Sequence, residues 1–164
     1  MNIGIIYYSF TGNTRRSCLF LKECLSAKGH TVECLDLQPA HETKTFIKQC
    51  YEAAFNKIPE LLECNYDLGQ YDMVIFASPV WAFAIAPALN AYLQKVKNLA
   101  GKKAACFLTF GSGTGAQRAL NSLEERIRQN QGQVLFSKNI SGEQTKHRKH
   151  LLEQFQTLFE LCER

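Results

Sequence analysis

The 164-residue chain is short of the marks that define most specialised protein classes. None of its seven cysteines, at 18, 24, 34, 50, 64, 106 and 162, forms a Cys-x-x-Cys pair, so neither a zinc site nor a disulfide framework is signalled. Most of them lie in apolar stretches, where cysteine packs as a small hydrophobe, and a reducing cytoplasm is the expected setting. No apolar run approaches the roughly 18 residues of a membrane-spanning helix. The opening segment, Met1 to Tyr8, has no basic start and meets polar Ser9 too early for a secretory leader, so a soluble cytoplasmic protein is expected. Charge of one sign is scarce too: 19 Lys and Arg face 15 Asp and Glu, and Lys146-His147-Arg148-Lys149-His150 holds three of the positives. The remainder is nearly neutral, which argues against a nucleic-acid partner. Internal repeats, linkers and low-complexity segments are also missing, so the chain reads as one domain over residues 1–164.

What is present is an alternation of short apolar runs with longer amphipathic stretches. Ile3–Tyr8, Thr31–Leu37, Asp72–Ala77, Lys103–Thr109 and Gln133–Ile140 read as strands. Helices are expected over Thr14–Lys28, Pro87 to about Asn98, Ala116–Asn130 and Gln144–Glu163, with Gly29 stopping the first and Pro87 opening the second. Five strands with helix-length crossovers specify an α/β fold with a doubly wound parallel sheet; of the two common orders of such sheets, five strands suit 2-1-3-4-5. Every strand-to-helix loop then emerges at one edge, where ligands of such sheets bind. Three loops rich in Gly, Ser, Thr and aromatics meet there: Ser9–Thr14, Ser78–Ala86 and Phe110–Gly115.

Ser9-Phe10-Thr11-Gly12-Asn13-Thr14 joins the first strand to the first helix, where unpaired N–H groups and the helix dipole suit a phosphate. A plain turn capped by Asn13 or Thr14 is the alternative. No Gly-x-x-x-x-Gly-Lys and no Gly-x-Gly-x-x-Gly follows the strand, which excludes a nucleoside-triphosphatase loop and a dinucleotide fingerprint. Ala77-Ser78 ends the third strand where a phospho-accepting receiver would need Asp, and no Cys-x₅-Arg supplies a low-molecular-weight phosphatase.

The run Ser-x-Thr-Gly-Asn-Thr after a first apolar strand resembles the phosphate loop of flavodoxins and their relatives. The resemblance continues through Tyr71–Phe83 and the glycine loop at 110–115, and so covers most of the chain. It implies FMN as cofactor, with Ser9, Thr11, Gly12, Asn13 and Thr14, and Phe10 among them, around its phosphate. By the same resemblance Ser78, Pro79, Val80, Trp81, Ala82 and Phe83 form one wall of the flavin site. Thr109, Phe110, Gly111, Ser112, Gly113 and Gly115 form the other. Trp81, the one tryptophan, is placed to flank the ring, or alternatively to cap the core. Arg15-Arg16 departs from the acidic or neutral residues common there in flavodoxins, and either adds charge to the phosphate site or lies in solvent.

Bound FMN implies redox chemistry, with no catalytic side chain identifiable. Acidic carriers disfavour the reduced anionic flavin, whereas here no Asp or Glu occurs between Asp72 and Glu124, so reduction is expected to be easier. Two readings follow: an oxidoreductase passing electrons from a nicotinamide donor to a quinone-like or other small acceptor, or a flavodoxin-type carrier docking redox partner proteins. The basic cluster at 146–150 either meets an acidic partner or donor phosphates, or is a solvated face. Within the long 38–70 connection, Phe46–Phe55 looks helical and is expected either to shape a mouth over the flavin or to cover the sheet.

Overall fold

A computed structural model of the chain describes residues 1–40 and 58–163. The proposed helix at Phe46–Phe55 lies outside the described residues. The strands are β1 (Asn2–Tyr7), β2 (Thr31–Asp36), β3 (Met73–Trp81), β4 (Ala84–Ile85), β5 (Lys103–Phe110) and β6 (Gln133–Ser141). The described helices are α1 (Asn13–Ala27), α2 (Pro87–Lys95), α3 (Ala116–Gln129) and α4 (Arg148–Cys162). Their parallel order, β2-β1-β3-β5-β6, is the expected 2-1-3-4-5 arrangement, with β4 added antiparallel to the end of β3.

The central strands are apolar on both faces because both faces are covered. Side chains alternate along each strand, so every second residue feeds a different core. Ile6, Val74, Phe76, Cys106 and Leu108 pack with Leu89 and Tyr92 of α2 and Leu120, Leu123 and Ile127 of α3. Ile3, Ile5, Ile75, Ala105 and Phe107 pack with Cys18, Leu21 and Leu25 of α1 and Leu151, Phe155 and Leu158 of α4. Fully buried Cys18 and Cys106 are therefore core residues, and burial pushes both thiols up, away from the reactive thiolate.

Several boundaries depart from the sequence expectation. Strand β3 does not close at Ser78-Pro79 but runs on to Trp81, because Val80 and Trp81 gain new partners in Ile85 and Ala84 of β4. Pro79, which cannot donate to a ladder, still lies opposite Thr109. Helix α2 ends at Lys95 rather than near Asn98, since the chain turns extended at Val96 and Asp67 forms a bridge with Lys97. Gln144–Lys146 forms a separate 3-10 turn, and α4 begins only at Arg148. The basic cluster thus straddles that junction, and much of its charge is paired at the surface. Lys146 meets Glu143 at 2.7 Å, and Arg148 clamps Glu23 with bonds of 2.9 and 2.7 Å.

Candidate functional site

The carboxyl ends of β1, β3 and β5 bring the three loops to one edge of the sheet. In the first, Gly12 adopts the left-handed region (φ 86°) and caps α1 without any side-chain bond, so neither Asn13 nor Thr14 is the cap. Ser9 Oγ accepts the Arg15 N–H at 3.1 Å, and the Gly12 carbonyl accepts that of Arg16 at 2.9 Å. The N–H groups of Thr11, Gly12, Asn13 and Thr14 form no hydrogen bond among the described residues. A helix start whose first N–H groups are unused is a ready anion site.

Several polar side chains of this region hold the scaffold. Thr14, almost fully buried, pairs with Thr109 Oγ1 at 2.8 Å and ties the start of α1 to β5. Asn13 Oδ1 accepts from Arg16 Nη1 at 3.1 Å and from Thr145 Oγ1 at 3.2 Å. The two arginines behave differently. Arg15 bonds the Asp36 carboxylate through Nε at 3.0 Å and again through Nη2, and those bonds hold its guanidinium more firmly protonated than usual. Tyr7 nearby stays neutral, its hydroxyl pushed up to about 12, first by burial and then by the Asp36 charge.

The second loop is a tight hairpin. Ala82 (φ 44°) and Phe83 (φ 67°) both adopt left-handed backbone between the paired Trp81 and Ala84. Two-residue hairpins demand this conformation, but Asn-Gly usually supplies it; Ala-Phe holds it at a strain of about 1–2 kcal/mol per residue. Ser78 pins the returning strand: its buried hydroxyl accepts the Ala86 N–H at 2.9 Å and donates to the Pro79 carbonyl at 2.9 Å. Trp81 is 5% exposed and sits edge-on to Tyr8 and Phe10, at 5.4 and 5.8 Å between centroids. It belongs to the core while also lining the cleft. The aromatic offered to solvent is Phe83, 52% exposed.

The third loop answers the second. Gly115 caps α3 in the left-handed region (φ 76°), and a Cβ there would fall 2.1 Å from the Phe83 ring. Glycine is required twice over, by conformation and by contact. Between these loops lies a cleft of about 310 Å³, walled by Val80–Phe83 on one side and Phe110–Thr114 on the other. Among the described residues no charged side chain lines it. This arrangement can stack and bury a flat ring, and the described residues that line it include no acid or base.

The sequence-derived residues therefore fall into three places. Ser9, Thr11, Gly12, Asn13 and Thr14 gather at the α1 start, and Val80–Phe83 with Phe110–Gly113 form the cleft. Ser78 and Thr109 lie beneath, buried, with hydroxyls that hold scaffold. Phe10 joins the groups by its contact with Trp81, and Pro79 sits half-buried behind them. Thr145 and Gly142, after β6, were not foreseen; isolated Thr and Gly at a strand end give no sequence signal. Among the described residues no cluster of three or more His, Cys, Asp or Glu is placed to hold a metal, and no helix is long and apolar enough to cross a membrane.

Solved structures with this fold include a Bacteroides uniformis protein assigned as a flavoprotein, 20% identical over 94% of this chain and 97% of that one, with a TM-score of 0.76. A Lactobacillus acidophilus flavoprotein in complex with FMN is 21% identical, covers 84% of this chain and 92% of its own, and has a TM-score of 0.70. Flavodoxin 1 of Bacillus cereus follows at 17% identity, 93% and 98% coverage and a TM-score of 0.59. At these identities the likeness establishes the fold. No curated protein matches in sequence. The family model for NADPH-dependent FMN reductase matches residues 1–146, which takes in all three loops. The chain belongs to the NADPH-dependent FMN reductase family: it is an FMN-binding oxidoreductase that uses NAD(P)H.

Proposed function

We propose that the FMN phosphate is held at the start of α1 by Ser9, Thr11, Gly12, Asn13 and Thr14, and the ring between the 80–83 and 110–115 loops. The unused donors of the first loop and the uncharged aromatic cleft both suit that ligand. FMN, when bound, supplies the redox chemistry. The protein's part is to bind and orient it. The dipole and N–H groups of α1 neutralise the phosphate, Phe83 and Phe110 bracket the ring, and the mouth excludes some water while admitting a second planar molecule.

The acceptor is a quinone-like or other small electron acceptor, reduced after the nicotinamide donor has delivered its electrons. One observation carries this reading: among the described residues the cleft has no carboxylate and is walled by aromatic and small residues. Such a surface favours stacking of a neutral flat molecule, and without nearby negative charge the reduced anionic flavin forms more easily. Rapid mixing of the FMN-loaded protein with NADH and NADPH, followed by a benzoquinone, tests it. Fast bleaching of the flavin band and fast reoxidation are expected. Bleaching far slower than turnover by either nucleotide would instead identify a carrier that exchanges electrons with protein partners.

A further inference from the structure

The first loop is braced by a residue 132 positions away. Thr145, in the 3-10 turn after β6, is fully buried, yet its hydroxyl stands within reach of three polar groups. The Gly142 carbonyl is at 2.7 Å, Asn13 Oδ1 at 3.2 Å and Arg16 Nη1 at 3.3 Å. A guanidinium only donates, so the Thr145 oxygen accepts from Arg16 while its single proton is shared between the two carbonyls. Arg16 also bonds Asn13 Oδ1 directly, at 3.1 Å.

This triangle fixes the Asn13 amide. The atom bonded by a guanidinium must be the carbonyl end, so Nδ2 is the opposite end. Nδ2 lies against Gly142, where a Cβ would come within 2.8 Å, and it meets no acceptor among the described residues. Arg16, unlike Arg15, has no carboxylate within ion-pair distance among the described residues. Among the described residues, then, the start of α1 holds an amide with two unused protons and a cation without a counter-charge.

We infer that Thr145 is a positioning residue for the flavin phosphate. With Arg16 it holds Asn13 so that the amide and the guanidinium face a phosphate monoester dianion, and the protein thereby prefers FMN to riboflavin. The inference rests on the placement of the phosphate at α1 proposed above. Riboflavin carries the same ring without the phosphate, so the ratio of the two affinities isolates this end of the site.

The test is titration of the apoprotein with FMN and with riboflavin, read by quenching of flavin fluorescence, for the parent, Thr145→Val, Thr145→Ser and Arg16→Gln. Thr145→Val keeps the shape and removes the hydroxyl; FMN affinity should fall about tenfold, the worth of one hydrogen bond to a charged network, while riboflavin affinity holds. Thr145→Ser should restore the preference. Arg16→Gln, at an exposed side chain, should lower FMN affinity alone and flatten its salt dependence. Equal losses for both flavins, or none for either, in Thr145→Val and Arg16→Gln would overturn the inference. Should Thr145→Val not fold, Arg16→Gln and Thr145→Ser still decide it. A parent protein with no preference for FMN would instead sink the phosphate placement itself, and the inference with it.

Discussion

The start of α1 and the cleft between the β3 and β5 loops are built on opposite principles. At the start of α1 the chain is held by directed bonds: Thr14 to Thr109, Ser9 to the Arg15 N–H, and Thr145 and Arg16 to Asn13. Between β3 and β5 it is held by shape, with Phe83 pressed on Gly115 and the Ala82-Phe83 turn in left-handed backbone. A phosphate needs donors at fixed points, because hydrogen bonds fall off steeply with angle. A flat ring needs two surfaces at a fixed spacing, which packing supplies without directed bonds. One region is therefore sensitive to loss of a single polar atom, the other to gain of a single methyl group.

Gly115→Val should break that contrast most violently. The added side chain faces the Phe83 ring and a positive φ at once, and the apoprotein should lose about 2–4 kcal/mol in urea unfolding. An unchanged midpoint would show that the two loops do not lean on each other. Thr14→Val comes next: the Thr109 hydroxyl would be left buried and unpaired, at a cost of about 1–3 kcal/mol. Adding Thr109→Val should recover part of that loss, and strict additivity of the pair would mean the bond contributes nothing.

Phe83→Gly separates stability from binding. Glycine relieves the left-handed strain, and the ring removed is half in solvent, so the apoprotein should hold or gain up to about 1 kcal/mol. FMN and riboflavin should both bind about three- to tenfold more weakly, for loss of one stacking surface. A loss confined to FMN would place Phe83 at the phosphate end. The smallest effect is expected from Asp36→Asn, which releases Arg15. FMN affinity should rise by less than about threefold and the gain should vanish in high salt, as for other exposed charges. A larger, salt-resistant gain would mean that Arg15 is held away from the phosphate at real cost.

Much of this was legible before any coordinates. The apolar runs Ile3–Tyr8 and Lys103–Thr109 read as strands, and the helix-length crossovers between strands left few sheet orders, of which five strands suit 2-1-3-4-5. The misread boundaries share a cause. Ser78-Pro79 looked like a strand end because Pro lacks a donor, but pairing of Val80 with Ile85 carried β3 past it. Trp81 was legible as an aromatic near the site, yet its burial against Tyr8 and Phe10 depended on neighbours from a segment about 70 residues earlier. Phe83 acquires its exposure only through a turn that its residue type disfavours, so no local rule selects it.

The sequence by itself determined the sheet, its two cores and which three loops share an edge, because hydrophobic periodicity and crossover handedness act along the chain. Tertiary structure alone decided that Thr145 reaches Asn13, that Arg15 is bound to Asp36 while Arg16 is not, and that Phe83 rests on Gly115. Those pairings join residues far apart in the chain through hydrogen bonds and contacts of a few ångströms. Composition and periodicity do not encode distances that short; the packing of the finished fold sets them.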